Sequence, residues 1–292
     1  MNLNHPARRR QGRAAFTLLE LLMVIGIIAL LAALGIPAIN GLTNSRKSGI
    51  ANRQLADDLK LARSRAIAER TTVYVVFVPT NFTDLNLSVP TGADATAIGQ
   101  AHYRRDTNLV ENLLDAKYTS YALFTWRGVG EQPGVRNPRY LTSWRSLPDG
   151  NFIAPYEFEM APAGVAPASP DWWRNYSGER PLPYDFFPFP SDTSNGTLAM
   201  PYVAFNHLGQ LVQPAYLGYP LNGQFDEAVH IGQGSIFYGR DGNTGRLNNE
   251  FTSGSFVPAD ILEVPSGNST NVFVRVNWLT GRAEIDKPQI RD

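Results

Sequence analysis

The first strong signal along the chain is a run with no polar face at all. From Phe16 to Ile36 every residue is apolar or small except Thr17 and Glu20. Such a run has no amphipathic period and reads as a helix buried on all sides. Leu18 to Ile36, 19 residues, extends about 28 Å as an α-helix, which just spans the hydrocarbon of a bilayer. Beyond Pro37 the pattern changes. In "NGLTNSRKSGIANRQLADDLKLARSRAIAER", Ala51, Leu55, Leu59, Ala62 and Ala66 recur at spacings of four, four, three and four, while Arg53, Asp57, Lys60, Arg63 and Glu69 fall on the opposite face. This predicts a continuing amphipathic helix with one stripe for a soluble domain, loosened locally by Gly41 and Gly49.

From residue 71 the period shortens to that of strands. "TTVYVVFVP" (Thr71 to Pro79) is β-branched and aromatic and stops at a proline, so it is the first strand. "NVFVRVNWLTGRAEI" (Asn271 to Ile285) reads as a hairpin turning at Leu279 to Arg282. Between them lie shorter strand-like pieces: "SYALFTW", "NFIAPYEFEM", "YVAFNHLGQLV", with a turn at His207 to Gly209, and "AVHIGQGSIFYG". The span Pro162 to Pro201 is dense in proline and aromatics. A disordered linker seldom spends so many large rings, so an ordered surface insertion on the β domain is expected. Its Trp172, Trp173, Tyr176, Phe186, Phe187 and Phe189 either pack a long loop or form a contact patch. No internal repeat is evident.

Composition sharpens this picture. The 25 glycines, 21 prolines and 12 tyrosines of the 292 residues suit a turn-rich β region. Without cysteine the chain has no disulfide staple, thiolate metal site or cysteine nucleophile. Its 26 basic and 26 acidic side chains balance, but Arg8, Arg9, Arg10 and Arg13 all precede the apolar run. Setting them aside leaves 22 against 26, near −4. That argues against a general nucleic-acid binder.

Glu20 is the anomaly, because a charge in hydrocarbon costs roughly 2.5–3.5 kcal/mol on insertion scales. A cleaved secretory signal accommodates the basic start, but no small-x-small site follows the run. A plain single-pass anchor accounts for everything except Glu20. "AAFTLLELLMVIGIIALLAALGIP" resembles the N-terminal segment of type IV pilins and type II secretion pseudopilins. The resemblance implies a basic leader, residues 1–15, cut by prepilin peptidase between Ala15 and Phe16, with N-methylation of Phe16. It also implies that Glu20 is the family's glutamate, four residues after the new N-terminus, and that Pro37 is its helix-kinking proline. The family usually carries glycine where this chain has Ala15. The join "LARSRAIAERTTVYVVF" and the closing hairpin resemble the H-type minor pseudopilins. An ammonium on Phe16 paired with Glu20 makes the charge tolerable in a low dielectric and sets the register between neighbouring helices, and the acidic residue suits a helix N-terminus.

The expected fold is therefore α+β and pilin-like. A transmembrane and filament-core helix (16–39) and an amphipathic helix (40–70) lead into an antiparallel β domain (71–292), with the insertion near 162–201. The arginine-rich start places the N-terminus in the cytoplasm and the β domain in the periplasm, with the chain in the inner membrane and then in a filament. The implied partners are other pilins or pseudopilins, prepilin peptidase and the assembly platform, with no cofactor, no metal and no catalytic residues.

Other chemistry is thinner. In "RDGNTGRLNNE", Asp241, Asn243, Asn248 and Glu250 supply oxygens, but their spacing departs from the calcium-loop pattern, and a polar turn is expected. His5, His102, His207 and His230 are scattered, and no nucleophile elbow or phosphate-binding glycine fingerprint occurs. Arg46, Lys47, Arg53, Lys60, Arg63, Arg65 and Arg70 make the amphipathic helix basic. They are read as a solvated face or a headgroup contact; the alternative is a DNA-binding minor pilin, with steeply salt-dependent binding. A membrane-anchored periplasmic binding protein or enzyme is the rival from another class.

Overall fold

The computed structural model describes residues 18–286 except 88, 90, 92–95, 129, 132–134, 160–179, 213–224 and 268–271, and not the side chains of 31–48 and 251–252. One helix, α1 (Leu18–Glu69), runs through Pro37, Gly41 and Gly49. The chain divides into two compact units, residues 1–45 and 46–292, and α1 contributes to both.

In the first unit, every described side chain, from Leu18 to Leu30, is exposed. Among the described residues no helix is long and apolar enough to cross a membrane; the side chains that would complete the expected span, residues 31–36, lie outside them.

The second unit is an α+β domain in which the striped half of α1 is a core element. Ala51, Leu55, Leu59, Ala62 and Ala66 are all fully buried, as their spacing predicts. Alternating leucine with alanine lets the helix lie close to a sheet while each leucine contributes about 1.5–3 kcal/mol of burial. The first strand, β1 (Val73–Phe77), is paired on both edges, with β2 (Ser120–Thr125) and, later in the chain, β7 (Thr197–Phe205). The order of this antiparallel sheet is β3 (Arg139–Tyr140), β2, β1, β7 and β6 (Tyr184–Pro188), with β4 (Arg145–Ser146) also on β2. The second sheet is β11 (Ala283–Asp286), β10 (Phe273–Val276), β8 (Glu227–Phe237) and β5 (Asn151–Ile153), with β9 (Asp260–Glu263) also paired to β8.

The two-residue period of β1 separates two cores. Val73, Val75 and Phe77 join the α1 stripe together with Val229, Ile231, Val274 and Val276 of the second sheet. Val76, with Phe124, Phe187, Phe189 and Tyr202, joins the other core. That core is closed by α2 (Ala97–Leu113), which the sequence reading passes over. This helix starts where Thr96 accepts a bond from the Gly99 N–H at 3.1 Å; it buries Val110 and Leu113.

Other expectations shift. "NFIAPYEFEM" is a strand for three residues only, then a 3-10 turn at Pro155–Phe158. Within the described part of the proline-rich span, Tyr184–Pro188 forms β6, which pairs with the start of β7. Phe187 and Phe189 are fully buried and only Phe186 is exposed, while Trp172, Trp173 and Tyr176 lie outside the described residues. The terminal hairpin forms as expected, its turn closed by Gly281 N–H donating to Asn277 O at 2.8 Å. The turn at His207–Gly209 is closed by Gly209 N–H donating to Asn206 O, also at 2.8 Å.

Candidate functional site

Of the residues that the sequence singles out for processing and assembly, Glu20 is the one described with its side chain. Glu20 lies in its first turn, exposed, where a carboxylate faces the helix's unsatisfied N–H groups. Around it Leu18, Leu19, Leu21, Leu22, Met23, Ile25 and Ile28 are each more than half exposed, and they occupy all sides of the helix. A helix apolar on every side belongs in a larger assembly or in lipid. Ala15 and Phe16 lie outside the described residues, as does the side chain of Pro37.

Farther along, four side chains without a distinctive sequence signal, Gln54, Asp58, Tyr121 and Arg145, fix α1 to the first sheet. Asp58 is buried within the helix face that meets the domain. Tyr121 Oη donates to its Oδ2 at 2.7 Å, and Arg145 Nη1 pairs with its Oδ1. Gln54 Nε2 adds bonds to Tyr121 Oη (3.2 Å) and Ser146 O (2.9 Å). Burial, and then the Asp58 carboxylate, push the Tyr121 phenol up from its ordinary pKa, which keeps it a donor. Arg63, expected on the solvated face, instead donates Nε to Gly209 O (3.1 Å) and Thr280 O (2.7 Å), so it holds both glycine turns to the helix. Arg65 Nη1 reaches Leu141 O at 3.5 Å, and Lys60 pairs with Asp57 at 3.0 Å. Part of the basic face is therefore spent inside the domain.

The remaining candidates are structural. Asp241 Oδ1 accepts from Asn243 N (3.0 Å), Thr244 N (2.7 Å) and Thr244 Oγ1 (2.9 Å). The Thr244 N–H, foremost among these, holds the Asp241 carboxyl below its usual range. This is the polar turn, since Glu250 is elsewhere: buried, it pairs with Lys117 at 2.6 Å and accepts from Phe82 N and Val257 N. Burial lowers the Lys117 pKa, against the pull of Glu250. Among the described residues no group of three or more His, Asp or Glu is placed to hold a metal ion. His230 is buried with Nδ1 2.7 Å from Glu157 Oε1, and Arg180 pairs with buried Glu227. Burial raises Glu227 to a pKa of about 8, Arg180 opposing and Glu157 adding to the shift.

A cleft of about 930 Å³ is lined by Tyr140, Trp144 and Tyr238 among others. Their polar tips are bound to backbone carbonyls, of Pro188 (2.8 Å), Pro190 (3.0 Å) and Lys117 (2.9 Å). These aromatics brace loops. No protein family, curated protein or solved structure matches the chain.

Proposed function

We propose that this chain is a structural subunit of a filament, a minor pseudopilin or pilin of a type II secretion or type IV pilus system. In this reading it is made as a precursor, inserted in the inner membrane with its N-terminus in the cytoplasm, cut by prepilin peptidase before Phe16 and methylated there. Neighbouring subunits and the assembly platform are its partners.

One observation carries the reading. The same helix that begins as an exposed apolar cylinder with a carboxylate in its first turn continues as a core element of a β domain. A helix so built can move into a filament core without disturbing the domain. Cutting before Phe16 creates an α-ammonium four residues from Glu20. The pair, made within a chain or to a neighbour, lowers the cost of both charges and fixes axial register. The rival DNA-binding role draws less support, because Arg63 and Arg65 are engaged with backbone carbonyls of the domain.

The test is the N-terminus of the mature protein, read by mass spectrometry. A start at Phe16 is expected; a start at Met1 or beyond Ile39 refutes the reading. Glu20→Leu separates it from a simple anchored domain: a filament subunit is still inserted and cut but fails to assemble, whereas an anchor tolerates the change.

A further inference from the structure

Sheet 2 ends in a two-stranded ribbon that the filament reading does not use. The second half of β8 pairs with β9 in the register Gly234↔Glu263, Ser235↔Leu262, Ile236↔Ile261 and Phe237↔Asp260. Opposed residues share a face, so Phe237, Leu262 and, one step on, Val264 all lie on the same side. They are 57%, 56% and 52% exposed. Three large apolar side chains standing together in solvent on so short a ribbon are a contact surface.

The backbone says what kind of contact. Val264 N–H donates to Gln233 O at 2.9 Å, so Val264, and with it Leu262 and Asp260, turn their backbone groups toward β8. Ile261 and Glu263 turn theirs to the outer edge, and among the described residues no second strand pairs with β9. Pro265, which has no N–H, ends the edge. An outward row of donors and acceptors beside an apolar face is matched by an extended peptide, whose backbone completes the ladder while alternate side chains cover the face. The only charges in residues 233–237 and 260–264 are the carboxylates of Asp260 and Glu263. Antiparallel pairing of two copies of β9 gathers four carboxylates and no cation on one short ribbon, which is unfavourable; a strand with basic ends meets them with opposite charge.

We propose that the outer edge of β9 takes up an extended, basic-flanked apolar strand of another protein, laid beside Phe237, Leu262 and Val264. This stands whether or not the N-terminal helix builds a filament.

The test uses the full chain in detergent micelles and a labelled heptapeptide of alternating valine and threonine with lysine at each end. Its partner probe carries glutamate at each end. Fluorescence polarisation is expected to detect the lysine peptide and not the glutamate one. Ile261→Pro deletes one outward N–H and leaves the bonds to β8 in place, so it weakens binding at least about tenfold, the worth of roughly one net hydrogen bond and its neighbour's fit. Leu262→Ser does the same through the apolar face, and Leu279→Ser, in the distant hairpin turn, does not. Should Ile261→Pro fail to fold, Leu262→Ser and amide exchange serve: on binding, Ile261 and Glu263 slow while Leu262 and Val264 stay as they were. No binding of the lysine peptide, equal binding of the glutamate peptide, or equal binding to Ile261→Pro overturns the proposal. So does sedimentation of a dimer that Ile261→Pro dissociates, which gives the edge to a second copy.

Discussion

Replacing Asp58 by alanine tests whether α1 is held to the first sheet by charge or by its apolar stripe. The carboxylate is buried and receives Tyr121 Oη on one oxygen and Arg145 on the other. Its loss leaves a buried phenol and a guanidinium without their shared acceptor. Removing one partner of a buried pair costs about 3–5 kcal/mol. The arginine side chain is 39% exposed, so water screens and rescues part of its charge, and about 2–3 kcal/mol is the figure to expect. For a domain of this size each kcal/mol lowers the Tm by about 2–4 °C, giving a drop of about 4–12 °C. Thermal and urea melts of the full chain in micelles measure it. Arg145→Ala alone costs less, and Asp58→Ala with Arg145→Ala costs clearly less than the sum, because the second change removes the group that the first left stranded. A loss under about 1 kcal/mol for Asp58→Ala, or strict additivity in the double variant, refutes the reasoning and leaves the Leu55 and Leu59 stripe as the fastening.

Further outcomes follow from the same geometry. Glu227 titrates higher in the folded chain, near pH 8, than its ordinary 4.5; the folded state therefore binds the proton more tightly, its stabilisation is full below about 4.5 and is lost as the pH rises toward 8. Melts across that window are expected to show stability falling by at most about 1.4 kcal/mol per pH unit, with the slope reduced in Glu227→Gln; an unchanged slope rejects the assignment. Gly281 has φ +61°, and a Cβ there runs into the carbonyl oxygen of Gly209. Gly281→Ala should thus destabilise by more than the ~1 kcal/mol of a strained turn alone, and a variant as stable as the parent by chemical denaturation contradicts this. Phe187→Ala empties a fully buried site among Tyr74, Phe124 and Trp126 and is expected to cost about 3–5 kcal/mol; a smaller change in the urea midpoint means the core collapses around it. On the proposed cut before Phe16, Ala15→Gly is expected to speed removal of residues 1–15 in a pulse–chase experiment, and no change in rate means that the extra methyl is not limiting.

Much of the helix and strand layout is legible in the sequence where one physical signal dominates. Leu55, Leu59 and the alanines repeat at the helical period, and Val73, Val75 and Phe77 alternate, so each betrays its buried side. Helix α2 is hidden because Tyr103, Val110 and Leu113 are thinly spread among polar residues, and its clearest mark, the Thr96 cap, is a local bond. Strand β6 is hidden because Pro183, Pro188 and Pro190 read as loop, although an edge strand tolerates proline. At the candidate site Glu20 stands out as a lone carboxylate in an apolar run. Asp58 does not, since its partners lie 63 and 87 residues away and an acidic residue on an amphipathic helix is ordinarily solvated. The basic helix face misleads for the same reason: what Arg63 binds is set by turns far along the chain.

That last contact has a bearing on how the chain comes to be folded. The bond from Arg63 to Thr280 spans 217 residues, and strands β10 and β11, which flank that turn, supply part of the core beneath the helix. The helix therefore leaves the ribosome well before the turn that binds its Arg63. Local pairing along the chain cannot seat it; closure waits for the C-terminal hairpin, a long loop with a high entropic cost. Until then the leucine stripe of α1 is covered only by what the first sheet supplies, and the interval between emergence of residue 46 and arrival of residue 283 leaves part of it open to proteases and to aggregation.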